Sequence, residues 1–482
     1  MTSPHELSAL DQYRLVQRRE LGVVELTRHY LDRIEARNGE LGAFFTVTAE
    51  RALKRARHVE ECVPRSTRLW GLPFADKDLW RREGVRTTFG SRAFADFIPE
   101  STDELPRVLD EAGAVSLGKT ATPEFGMTSH TETVVAPPAR NPWNTDLGPG
   151  GSSGGAAVAV SAGLLPFAPG SDGGGSIRIP AAACGLVGLK PSRGRVPALS
   201  GIDALGGLSV AGPIARSVAD AAFLLDGMIG RRGSAVDDHF ALRAPSEDDG
   251  DFLGYAIRGE GRFQIGVCVD SPWSSSHEIV VDPEIMSVLA DTVEALSALG
   301  HGIEEVGLEP APAYVGAFSA VWQAAAAQIR LGPGGRAHPD VGGDIEPLTR
   351  WLRDRGRGLS AVQLADALAE LSRFERGVIA GFSGFDAVLT PTLALLPRPI
   401  GWYDAVDAQR NFAQQVQYSP FTSFVNVAGL PAITLPIGTS AGGLPIGMQL
   451  IGRPGGEGVL LSIGRQLERR LRWEDRHPLA WN

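Results

Sequence analysis

Cysteine is scarce in this 482-residue chain: Cys62, Cys184 and Cys268 are the only three. An odd, widely spaced trio is neither a disulfide framework nor a CxxC metal site. The nine histidines are scattered, with no HExxH and no close pair, so neither a metal nor a cofactor is expected. No uncharged apolar run reaches about 18 residues, and no membrane span is expected. The first twenty residues, MTSPHELSALDQYRLVQRRE, are polar and charged and lack the apolar centre of a signal peptide, so the expected location is the cytoplasm. Basic residues are in the minority, 46 Lys and Arg against 56 Asp and Glu, for a formal net charge of -10. That balance argues against a nucleic-acid surface and against docking on anionic lipid. What the chain does have in excess is glycine, 59 residues of 482. That is well above the ordinary share of ~7%. The glycines cluster, which marks specific backbone sites rather than low complexity.

Residues 7–37 read as helical, with Val23, Leu26, Tyr30 and Ile34 at helical spacing and charges between them. A second helix is predicted over Ala49–Glu60. Residues 72–78, LPFADKD, open like a strand with a lysine near its end. A helix over Glu104–Ala112 and a short buried strand over Ala114–Leu117 follow. The small-residue run Ala156–Ala162 suits a buried helix in close contact with its neighbours, and another helix begins at 216–222. Residues 230–262, rich in Gly, Asp, Glu and Arg, read as a surface insertion or a mobile loop. Gln264–Val269 then reads as a strand, Asp282–Leu299 as a helix and Ile303–Val306 as a strand. That rhythm implies an α/β fold with crossover connections. Residues 310–380 are alanine-rich and mainly helical, and Ala387–Leu389, Ala432–Leu435 and Gly447–Ile451 read as further core strands. There is no internal repeat.

Two glycine clusters stand out: GPGGSSGG over 148–155 and GSDGGGS over 170–176. Neither suits the interior of a helix or strand, so each is a loop whose backbone lies close to something. The successive N–H groups of Gly173, Gly174 and Gly175, just before Ser176, can turn toward one point, as in an oxyanion hole or an anion nest. A Walker phosphate loop needs Lys and then Ser or Thr after its last glycine, and neither cluster has them. A looser anion loop at a helix start stays open. Gly151, Ser153 and Gly155 fit G-x-S-x-G, but the preceding NTDLGP is not the buried strand that a nucleophile elbow requires. Two packing loops without chemistry are the remaining reading. Two serine-bearing glycine loops in one window count against it.

These segments resemble the core of the amidase signature family. The likeness is carried by GGSSGGAAVAVSAG, GSDGGGSIRIPAAACGLVGLKPSRG and, upstream, GLPFADKDL. Downstream, GPIARSVADAA, DAVLTPT and FTSFVNVAGLPAITLPIG with GLPIGMQLIG extend it in patches from about Gly71 to Arg453. The resemblance implies a catalytic triad of Lys77 as base, Ser152 as proton relay and Ser176 as nucleophile. It also implies a cis peptide between Gly151 and Ser152, and oxyanion donors from Gly173, Gly174 and Gly175. Position 173 is glycine here where many relatives carry a larger residue, which implies a somewhat looser loop. Phe125–Thr128 matches the loop that lines the acyl side of the pocket, which makes Gly126, Met127 and Thr128 candidate substrate-binding residues. Ser153 is the alternative relay or, equally, a hydroxyl capping the helix behind it. Asp172 and Arg178 read as a buried ion pair that holds the loop, and Cys184 as a core residue. Trp322, Trp402 and Tyr418 are candidates for the pocket wall or for simple packing.

The implied fold is a single large α/β domain over 1–482: a twisted mixed sheet with helices on both faces. It would comprise a helical N-terminal segment over 1–65 and a catalytic core over 66–215, and its N-terminal helices are candidates for a homodimer surface. The implied activity is hydrolysis of a small-molecule carboxamide, with aryl amides, esters and carbamates open to the same machinery. The alternative is the amidase subunit of a tRNA-dependent amidotransferase, which shares the whole motif set. A binding protein on a dead scaffold is disfavoured by the intact Lys77, Ser152 and Ser176.

The chemistry sets one physical demand on Lys77. A solvated lysine, with a pKa of ~10.4, stays charged at neutral pH and cannot act as a base. Burial disfavours the ammonium form. The preceding LPFA is consistent with burial, and alternation along a strand points Asp76 and Asp78 away from the lysine.

Overall fold

The structure, a computed structural model, describes residues 3–196, 205–229, 251–329 and 345–481. Its strands form two sheets. The smaller contains β1 (Phe44–Val47), β2 (Pro73–Lys77) and β3 (Val115–Thr120) in the order β1-β3-β2, with β3 antiparallel to β1 and parallel to β2. The larger contains β4 (Phe167–Asp172), β5 (Val187–Lys190), β6 (Val210–Ala215), β7 (Gln264–Val267), β8 (Gly302–Glu305), β9 (Ala387–Pro391), β10 (Ala432–Thr439) and β11 (Pro445–Gly452). Their order is β4-β6-β5-β10-β11-β9-β7-β8. Neighbours are antiparallel from β4 to β9 and parallel from β9 through β7 to β8. Parallel neighbours need crossovers, and helix Pro283–Ala298 supplies the one between β7 and β8.

Apart from its edge strand β8, the large sheet is buried on both faces. Side chains alternate along a strand, so neighbours should fall into different cores. Ala387 and Leu389 of β9 join one apolar cluster and Val388 the other. Ile433 and Leu435 of β10 divide from Ala432 in the same way, as do Met448 and Leu450 of β11 from Ile451. The first face is covered by helices Val218–Met228, Pro283–Ala298 and Glu457–Leu471, the second by Tyr314–Ala327, Ala361–Phe382 and Ser423–Val427. The expected α/β domain with a mixed sheet between helices is therefore present, with a second, three-stranded sheet beside it.

Some expectations need correction. The helix read over 7–37 is two, Ala9–Gln17 and Val23–Leu41, because the backbone turns left-handed at Arg19 (φ 62°) and restarts on Gly22. Of the expected insertion, residues 230–250 lie outside the described residues. Within the rest, Phe252–Arg258 is a helix rather than a loop. Phe252 is buried in the core, and Asp226 accepts the N–H groups of Phe252 and Leu253 at the helix start.

Two features of this fold matter for chemistry. Strand β2 ends at Lys77 and packs against β4. Strand β4 ends at Asp172, so the second glycine cluster leaves the sheet beside the lysine.

Candidate active site

Lys77 is fully buried. Its Nζ lies 2.7 Å from Ser152 Oγ, 2.9 Å from Ser171 Oγ and 3.5 Å from the Ser171 carbonyl oxygen. The flanking carboxylates point elsewhere, as strand alternation requires. Asp76 accepts from Arg82 Nε at 2.6 Å and from Ser116 Oγ at 3.0 Å. Asp78 accepts the Thr88 N–H at 2.9 Å and lies 3.7 Å from Lys119 Nζ. Burial pushes the Lys77 ammonium down to about 7, opposed only in part by the negative charge of Asp172.

The first glycine loop delivers Ser152 to the lysine. The Gly151–Ser152 peptide is cis, and a Cβ on Gly151 would stand 2.5 Å from the His130 carbonyl oxygen, which leaves glycine as the fitting residue. Ser153 turns the other way. Its hydroxyl exchanges hydrogen bonds with the Ser171 backbone, at 3.3 Å each, and does not cap the helix Gly154–Ser161. The Ser153 N–H donates to the Ser176 carbonyl at 3.1 Å, which ties the two loops together.

The second loop is clamped from beneath by Asp172. Its carboxylate accepts from Arg178 Nε and Nη2, both at 2.9 Å, from the Gly175 N–H at 2.7 Å and from the Ile177 N–H at 3.1 Å. Burial alone would raise this carboxyl, but the Arg178 guanidinium holds it well below the usual range. Arg178 also donates to Gln449 and Asn426, each at 2.6 Å. Gly175 was expected as an oxyanion donor; its N–H instead belongs to Asp172, because the carboxylate sits directly under that peptide. The N–H groups of Gly173, Gly174 and Ser176 have no partner among the described residues. Thr422 Oγ1 donates to the Gly174 carbonyl at 2.6 Å and fixes the loop from above.

Ser176 and Gly174 lie on the wall of a cleft with an empty volume of about 500 Å³. Gly126, Met127 and Thr128 line it as expected, and so does Trp322. Trp402 and Tyr418 do not; they pack with Tyr403 in a separate apolar cluster. Sequence reasoning missed Trp273, Phe318 and Phe412, which complete the wall, and Ser171, which holds the lysine. Phe318 and Trp322 stand four residues apart on one helix, a spacing that could have flagged them. Nothing local marks Trp273. Among the described residues, no charged side chain lines the cleft and no group of three or more His, Cys, Asp or Glu could hold a metal. His130 is buried against the Tyr403 ring, 4.2 Å between centroids, and burial lowers it to about 3, so it stays neutral.

Comparison with known proteins agrees with this geometry. The family model described as Amidase matches residues 25–461. A putative amidase of Synechocystis sp. is 31% identical, over 96% of this chain and 88% of that protein. A glutamyl-tRNA(Gln) amidotransferase subunit from Moorella thermoacetica is 35% identical, over 98% of this chain and 97% of its own length. Among solved structures, 6-aminohexanoate cyclic dimer hydrolase superposes with a TM-score of 0.89 at 30% identity, covering 99% of both chains. With a buried lysine, two glycine-loop serines and a family match along nearly its whole length, this chain belongs to the amidase signature family and is an amide-hydrolysing enzyme.

Proposed function

We propose that the chain hydrolyses the C–N bond of neutral carboxamides through an acyl-enzyme on Ser176, with Ser152 as proton relay and Lys77 as base. The observation that carries this reading is the set of partners around Lys77 Nζ. A neutral amine has two N–H groups and one lone pair. The Ser171 hydroxyl and carbonyl take the two N–H groups, and the lone pair is left for the Ser152 hydroxyl at 2.7 Å.

In the first step Ser176 Oγ bonds to the carbonyl carbon. Its proton passes to Ser152 Oγ as the Ser152 proton passes to Lys77 Nζ. The N–H groups of Gly173, Gly174 and Ser176 meet the oxyanion. Collapse breaks the C–N bond, and the leaving nitrogen takes its proton back along the same chain. Water then attacks the Ser176 ester with the same relay, releases the carboxylic acid and leaves Lys77 neutral. Esters and carbamates present the same electrophilic carbon and fall within this mechanism.

The amidotransferase reading uses the same residues. Glutamine, however, carries an α-carboxylate into the site, and the cleft wall has no cationic side chain among its described residues. That favours neutral amides with apolar or aromatic acyl groups. The reading takes the enzyme to act in the cytoplasm as a single chain or homodimer, with no cofactor, metal or further chain required.

The test is kinetic. Ser176→Ala should abolish turnover with the fold intact, while Ser152→Ala and Lys77→Ala lose orders of magnitude in kcat with a smaller effect on substrate binding. In the parent, kcat/KM should rise with pH through about 7 as Lys77 loses its proton, then level off. His130→Gln should keep that limb. Near-normal kcat in Ser176→Ala, or a limb that vanishes with His130, refutes the assignment.

A further inference from the structure

The aromatic side of the cleft is one continuous series that runs along the second glycine loop. Trp322 and Phe318, one turn apart on helix Tyr314–Ala327, stack with 5.7 Å between centroids and 16° between planes. Phe318 meets Trp273 edge-on at 5.4 Å, and Trp273 meets Phe412 at 6.0 Å. Trp273 is fixed in place, because its Nε1 donates to Ser423 Oγ at 2.9 Å and that serine also bonds the Tyr314 hydroxyl at 2.8 Å. Trp322 differs. It is only half-buried, packs with Met127 against the cluster of Ala326, Leu348 and Leu352, and its indole makes no hydrogen bond among the described residues.

What admits Trp322 is the missing side chain at Gly173. A Cβ built there would stand 3.4 and 3.5 Å from two indole ring carbons, in ordinary contact. A branched side chain there, with one atom turned toward Trp322, would press on the ring. The indole therefore lies against the start of the loop, within the same cleft lining as Gly174 and Ser176.

We propose that Trp322, admitted by Gly173, is the specificity-determining residue of the cleft. It selects amides with a planar aromatic acyl group, which lies against the Trp322–Phe318 stack. The inference rests on the amide hydrolysis proposed above. Ring faces favour an aromatic partner over an aliphatic one of similar size. The uncharged lining rewards neither acid nor base on the substrate. A short aliphatic acyl group offers no ring face to the stack and draws less from it.

The experiment measures ammonia release from benzamide and propionamide, and aniline release from acetanilide, by the parent, Trp322→Ala, Trp322→Phe and Gly173→Ile. The readout is the ratio of kcat/KM for benzamide to that for propionamide, which cancels any general damage. Trp322→Ala should lower this ratio about tenfold or more, the scale at which one apolar contact discriminates. Trp322→Phe should retain most of the ratio, since a ring still faces Phe318. Gly173→Ile should lower it by pushing the indole aside, and it serves as the second probe if Trp322→Ala does not fold. An unchanged ratio in both altered walls overturns the inference, as does a loss confined to acetanilide, which would place the ring on the leaving-group side. A parent that cleaves none of the three refutes the amide reading itself, and this inference with it.

Discussion

At the scale of single residues, Lys77 is where the proposed catalysis and stability pull apart. In the unfolded chain it keeps its proton up to about 10.5, whereas in the fold burial lowers it to about 7. Between those values the unfolded state binds more protons, so this group makes stability rise with pH. The cost of burying it is full below about 7, shrinks above that, and is gone above about 10.5. Lys77→Met should therefore melt higher than the parent at pH 6, with a gain that fades as the pH approaches 10. Thermal melts across that range give the answer, and an equal melting temperature at pH 6 would mean that the amine is not penalised by its surroundings. The lysine and both serines were legible in the sequence because each sits in a local motif. Ser171 was not, because residues 170–176 read as one loop while the structure carries β4 through Asp172. Its hydroxyl can accept from the amine only because the strand holds it there.

At the scale of elements, two short helices depend on their polar side chains. Arg178–Ala183 has six residues and Ser423–Val427 five, too few to form alone in water. Asn426 joins them. Its Nδ2 donates to the Asp172 carbonyl at 2.8 Å, to the Asp172 carboxylate at 2.9 Å and to the Leu208 carbonyl at 3.0 Å, and its Oδ1 accepts from Arg178. Asn426→Ala should cost about 2–4 kcal/mol, since it strands buried groups next to a buried charge pair. Urea titration measures it, and a loss under about 1 kcal/mol would show that the network is not holding these helices. The same region explains which strands could be read. β7 and β9 were legible by their apolar residues, and β8 by the strand–helix–strand rhythm that β7 begins. β4 and β6 carry Pro169 and Pro213, which face each other in the ladder, and Gly212, where a Cβ would lie 2.2 Å from the Leu189 carbonyl oxygen. Composition marks such residues as breakers, yet close backbone approach is what demands glycine there. The cleft wall was illegible for another reason: Trp273, Phe318 and Phe412 come from three separate segments, and only the fold brings them together.

At the scale of the molecule, the site spans a seam. Lys77 comes from the three-stranded sheet, and Ser171, Asp172 and Ser176 from the edge of the eight-stranded one. In a urea series, activity should disappear before the far-UV circular dichroism changes, because a loosened seam disrupts the proposed relay before either sheet melts. Superimposable curves would mean that the two sheets come apart only as one unit. The seam also governs how the enzyme fails. A nucleophile and base on one rigid strand would keep reacting in a half-folded chain, on whatever substrate reached them. In the proposed mechanism a drift of about one ångström between the sheets would be enough to silence the chemistry. By that mechanism a damaged copy would fall quiet instead of becoming an indiscriminate hydrolase.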